Sequence, residues 1–145
     1  MRVFREVGHE FPESLLTVLR GLPVDEPDRL EKELDEFKTR HGYRVHDVVE
    51  ITPETPNDAL RKFDPPHTHS EDEIRLFLEG SGIFDLRADD GVWYRFLMEK
   101  GDMIVVPAGR VHRFEPTFEK SVRCVRVFQD QAGWEPHYVE DAAGA

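Results

Sequence analysis

The chain has one cysteine, Cys124, among 145 residues. No intrachain disulfide is possible, which fits a reducing compartment. Cys124 itself reads as a small buried residue in a strand. Long apolar runs are missing too. Nothing approaches the length of a membrane span, and the first residues carry no signal-peptide core, so a cytoplasmic protein without a membrane partner is expected. Basic charge is scarce: 19 Lys and Arg against 30 Asp and Glu give a formal charge of -11. That balance argues against nucleic acid or an anionic membrane surface as partner. Internal repeats, low-complexity tracts and linker-like composition shifts are lacking as well. The expectation is therefore one domain over residues 1–145, with a helical segment at about 1–42 and a β core at about 43–134.

What is present reads mainly as β-structure. Arg2 to Val7 could be a short strand. Residues 12–20 are expected to form a short helix, with Leu15, Leu16 and Leu19 on one side, ended by Gly21 and Pro23. Residues 28–41 predict a second helix, with Leu30, Leu34 and Phe37 at helical spacing and Gly42 as C-cap. Tyr43 to Thr52 is strand-like, and Asn57 can cap a short helix through Phe63. Short strands then follow at roughly 67–69, 73–79, 82–87, 92–98, 103–106, 111–115 and 122–128. Gly80-Ser81-Gly82 and Asp89-Asp90-Gly91 are hairpin signals. Many short strands at close spacing imply a sandwich or barrel. The tail from Asp141 to Ala145 is expected to fray.

The chemistry concentrates in Pro66-His67-Thr68-His69-Ser70-Glu71-Asp72-Glu73. In a strand, His67 and His69 point to the same face. Asp64-Pro65-Pro66 forces an extended entry and restricts the segment that carries them. Glu73 opens the next apolar run, and His112 follows a turn at Pro107-Ala108-Gly109. Two histidines and a carboxylate are common ligands of a redox metal with open positions. Three neutral imidazoles and one carboxylate leave a divalent ion a net charge of about +1, and the donor set suits iron or nickel better than zinc. Parity places Arg75 and Phe77 on the face of Glu73, opposite Ile74, Leu76 and Leu78. Cys124, Arg126 and Phe128 likewise oppose Val125 and Val127. An inward arginine needs an anion, which could be Glu71, Asp72 or a bound substrate. His9, His41, His46 and His137 have no such context and read as surface or ordinary packing residues. Glu71 and Asp72 read as solvated acids that help position the loop.

Two motifs carry a resemblance. His67, His69, Glu73 and Gly80 stand at the spacing of the first cupin motif. Gly101, Asp102, Pro107, Gly109 and His112 stand at the spacing of the second. Arg61 occupies the place where the first motif often begins with Gly. From about Gly42 to Trp134 the chain resembles the acireductone dioxygenases more closely than cupins at large, as in Glu71-Asp72-Glu73-Ile74-Arg75, Leu78-Glu79-Gly80-Ser81-Gly82 and Met98-Glu99-Lys100-Gly101-Asp102. Pro66 departs from that family, which usually has an acid there, and the ends of the chain match less well.

The resemblance implies a single-domain cupin, a double-stranded β-helix or jelly-roll barrel with a few short, mostly N-terminal helices. It implies one Fe2+ or Ni2+ per chain on His67, His69, Glu73 and His112. Arg75 and Arg126 would face the substrate as catalytic residues, and Phe63 and Trp134 would line its pocket. The expected partners are acireductone and O2, for a monomeric enzyme of methionine salvage. The same motifs admit a metal-dependent cupin acting on another enediol or a sugar, and a non-catalytic ligand-binding cupin.

Overall fold

A computed structural model describes residues 15–56, 65–117, 121–129 and 135–139. The expected strand at Arg2–Val7, the helix at Asn57–Phe63, the tail, and both Phe63 and Trp134 lie outside the described residues. The described chain runs β1 (Thr17–Leu19), α1 (Pro27–His41), β2 (Val45–Ile51), β3 (His67–Thr68), β4 (Glu73–Arg87), β5 (Trp93–Glu99), β6 (Met103–Val106), β7 (His112–Pro116), β8 (Val122–Phe128) and β9 (His137–Tyr138).

Every strand pairing is antiparallel, and β4 organises them. Its first half lies in a layer ordered β1-β6-β4-β8-β2. Its second half lies in a layer ordered β5-β4-β7-β3-β9. The two layers curl into the cupin-type half-barrel that the resemblance implies. Phe77, Phe84, Phe114, Met98 and Cys124 fill the central cluster, joined by Leu15 and Leu16. A second cluster lies on the other face of β4, where Ile74, Leu76 and Leu78 meet Val125, Val127 and the helix residues Leu30 and Leu34. Alternation along β4 and β8 divides the two clusters, as strand parity requires.

Helix α1 follows its sequence signals. Pro27 stands in its first turn, and Gly42 closes it in the left-handed conformation at φ 78°. Burying Leu30 and Leu34 against β4 and β8 contributes about 2 kcal/mol each.

Two expectations change. The described part of residues 12–20 is not helical: Thr17–Leu19 pairs with Met103–Val105. Leu15 and Leu16 enter the central cluster instead of forming a helix stripe, so tertiary pairing overrides a spacing too short to decide between periods. The glycine signal at 80–82 is not a hairpin either, because β4 runs through it unbroken. Gly80 has φ 77°, and a side chain there would start 1.9 Å from the Ser121 carbonyl oxygen. A side chain at Gly82 would start 2.5 Å from the Phe114 ring. These glycines make the corner at which β4 passes from one layer to the other. The Asp89-Asp90-Gly91 hairpin forms as expected, with Ala88 N–H donating to Val92 O at 2.8 Å.

Candidate metal centre

The barrel brings His67, His69, Glu73 and His112 together, all buried, with one donor atom from each lying within 4.8 Å of the others. Their positions follow from pairing. His67 on β3 lies directly opposite His112 on β7, and Glu73 opens β4 beside Val106 of β6. The His67 and His112 rings are 4.5 Å apart between centroids, and His69 lies 4.9 and 5.1 Å from them.

Each imidazole is oriented by a backbone carbonyl. Nδ1–H donates from His67 to Pro65 O at 2.7 Å, from His69 to Glu135 O at 3.1 Å and from His112 to Arg110 O at 2.8 Å. A carbonyl only accepts, so each Nδ1 carries the proton and each neutral ring keeps its lone pair on Nε2. The Nε2 atoms of His69 and His112 lie 2.9 and 3.1 Å from the same oxygen, Glu73 Oε1. Two lone pairs facing a carboxylate at this distance require a cation among them, either protons on the rings or one shared metal ion. Adjacent donors about 2.1 Å from one ion lie about 3.0 Å apart, which matches these spacings. The donor set therefore fits a divalent metal.

The electrostatics agree. Burial, with His112 beside it, lowers the His67 pKa to about 4, so the ring is neutral at pH 7. Burial pushes the Glu73 carboxyl upward, but positive charge shared with the His112 and His69 rings, together with that of Arg75, outweighs it and holds the group well below the usual carboxylate range. His67 thus presents a neutral imidazole and Glu73 an ionised carboxylate, the forms that bind metal.

The loops carrying the donors are tied to one another. Asp72 accepts from Ala108 N–H and from the Tyr43 hydroxyl, both at 2.8 Å. Gly109 N–H donates to His69 O at 3.0 Å. Glu71 accepts from Gln129 N–H at 2.9 Å. The loop acids do position the segment, as the sequence suggests, and Asp72 is half-buried rather than solvated.

Arg75 is buried, with its guanidinium over the Phe114 ring at 4.7 Å and Nε 3.4 Å from Glu73 Oε2. The acid it meets is Glu73 itself. Arg126 lies opposite Arg75 in register and is engaged at two nitrogens by Asp47. Cys124 is fully buried, and burial, only partly opposed by Arg75, raises its pKa to about 11. His46 contacts Lys38, His41 packs on Phe37, and His137 is exposed. Sequence reasoning missed Asp47, Phe114 and the backbone carbonyl of Glu135.

The sequence model of the ARD/ARD′ family matches residues 8–136. This chain belongs to the ARD family, the acireductone dioxygenases. It is 37% identical over 143 residues to an acireductone dioxygenase of Leptospira biflexa, covering 93% of this chain and 80% of that protein. It is 42% identical over 113 residues to one from a Sulfurihydrogenibium species, of which it spans 63%. Among solved structures it resembles an acireductone dioxygenase from Bacillus anthracis with a cadmium ion in its active centre. That likeness has a TM-score of 0.78 and 29% identity and covers 87% of this chain and 84% of the other.

Proposed function

We propose that this chain oxidises acireductone, 1,2-dihydroxy-3-keto-5-methylthiopentene, with dioxygen in methionine salvage, as a cytoplasmic monomer. His67, His69, Glu73 and His112 would hold one Fe2+ or Ni2+ per chain. The observation that carries the proposal is the convergence of these four donors in a member of a family whose relatives are named for this activity. When bound, the ion supplies a Lewis acid with open positions for a substrate that has two adjacent oxygens.

The chain's own residues do the rest. Backbone carbonyls hold the three imidazoles in the metal-binding tautomer. Arg75, buried beside Glu73, offers a fixed positive charge to the anionic enediol, and burial makes that charge more effective than it would be in water. Arg126 supplies a second positive group on the same face of the sheet. Phe63 and Trp134 would line the methylthio end of the pocket.

The iron form is expected to give formate and 4-methylthio-2-oxobutanoate, and the nickel form carbon monoxide, formate and methylthiopropionate. The test reloads apo-protein separately with each ion, adds acireductone under oxygen, and measures oxygen uptake, formate and carbon monoxide. Carbon monoxide from the nickel form alone is the expected result. No oxygen uptake by either form would sink the acireductone assignment and favour a cupin acting on another ligand.

A further inference from the structure

We propose that Asp47 is a positioning residue that aims Arg126 at the negative charge of the substrate. The proposal rests on the reading of Arg126 as substrate-facing. Asp47 lies on β2, a strand that contributes no donor to the metal centre among the described residues. Cross-strand register nevertheless places Asp47 opposite Arg126, and Arg126 opposite Arg75. The three form one row across β2, β8 and β4, and strand parity puts Arg75, and with it the row, on the face of Glu73.

The contact is a two-point fork. Arg126 Nε donates to Asp47 Oδ1 at 2.9 Å and Nη2 donates to Oδ2. Such pairing fixes the plane of a guanidinium, which a single contact cannot do. It takes the Nε–Nη2 edge of the guanidinium. The Arg126 side chain is 22% exposed, so without Asp47 it has solvent-directed rotamers open to it. Phe128, 5.6 Å from the guanidinium carbon, lies beside it but offers no directional hold of this kind.

Orientation and charge make opposite demands here, and that gives the proposal a sign. If Asp47 acts by holding Arg126, its removal weakens anion binding. If it acts only through its negative charge, its removal tightens anion binding.

The test uses the nickel-loaded protein. 4-Nitrocatechol, a coloured anion with two adjacent oxygens, is titrated without oxygen, and acireductone kinetics are measured in parallel. For Asp47→Ala the nitrocatechol Kd should rise about tenfold, the scale of a lost charged hydrogen bond. The KM for acireductone should rise by more than kcat falls, because the substrate is already anionic when it binds. Nickel content should stay at the wild-type level. Asp47→Asn, which keeps one acceptor, should recover part of the affinity. In an Arg126→Ala background Asp47→Ala should add nothing.

Unchanged or tighter nitrocatechol binding by Asp47→Ala overturns the proposal, as does an equal loss in the Arg126→Ala background. If the affinity changes follow expectation while acireductone is not consumed, the positioning role stands and the acireductone assignment falls. If acireductone is consumed equally well by the Asp47 variants, the reverse holds. A wild-type protein that binds neither compound overturns both.

Discussion

Glu73 and Phe77 point to the same face of β4, four residues apart, yet they belong to regions built in opposite ways. Around Glu73 the interior is polar, with three imidazoles, a carboxylate and a guanidinium, all buried. Its geometry is held by directional bonds to carbonyls and by the loop contacts of Asp72. Around Phe77 the interior is apolar: Phe84 and Phe114 each lie 6.4 Å from it, and all three rings are buried. Arg75 stands between the regions, with Glu73 on one side and the Phe114 ring on the other. Burying charge costs stability unless it is matched, whereas burying rings supplies it. The metal end therefore leans on the aromatic end for its stability, and substitutions should separate the two.

The largest effect is expected at the donors. His69→Ala removes a nitrogen donor while leaving the aromatic cluster untouched. Metal affinity should fall by more than about a hundredfold, because even residues that only orient a ligand are worth about that much. Metal analysis after dialysis, with circular dichroism to confirm the fold, checks this. A variant that keeps its metal would show that His69 is not a ligand. Phe77→Ala should behave in the opposite way. Emptying this site should cost about 3–5 kcal/mol in urea unfolding, while the folded protein still takes up one metal. Loss of metal without loss of stability would break the division between the regions.

The donors were legible because their information is local. Two residues of alternation bring His67 and His69 to one face, and the turn at Pro107-Ala108-Gly109 introduces His112 within five residues. The supporting parts were not, because they join distant positions or involve no side chain. Asp47 and Arg126 are 79 residues apart, and neither carries a motif that names the other. The partner of His69 Nδ1 is the backbone carbonyl of Glu135, 66 residues away, which could belong to any residue type. Helix α1 was legible from its period and its glycine cap. The glycines at 80 and 82 were misread because a hairpin and a sheet corner make the same local demand, a backbone free of side chains. Only the partners, Ser121 and Phe114, tell them apart.

Arg75 touches both regions. Arg75→Ala should leave metal content near wild type, since no donor is removed. Turnover of acireductone should fall about a hundredfold, the scale of a lost charge-stabilising group in a buried site. Equal kcat/KM for variant and wild type, at equal metal loading, would make Arg75 a structural partner of Glu73 and Phe114 and nothing more.

The smallest effect is expected from Tyr43→Phe, at the outer edge of the polar region. The Tyr43 hydroxyl donates to Asp72 Oδ2. Burial, together with the bond to Asp72 and its charge, raises the pKa of the hydroxyl well above its usual value, so it remains a donor throughout the neutral range. Phenylalanine keeps the ring, which stacks on Phe37 with centroids 6.0 Å apart, and removes only the donor. Asp72 would retain Ala108 N–H on its other oxygen, so the two donor loops stay joined. The expected cost is about 1.5 kcal/mol of stability, the low end for one hydrogen bond with a charged acceptor, as suits a half-buried site, with metal content unchanged. Urea unfolding and metal analysis on the same preparation check both halves. A loss of metal from this variant would mean that the link from Tyr43 to Asp72, and not the pairing of β3 with β7, sets the donor geometry.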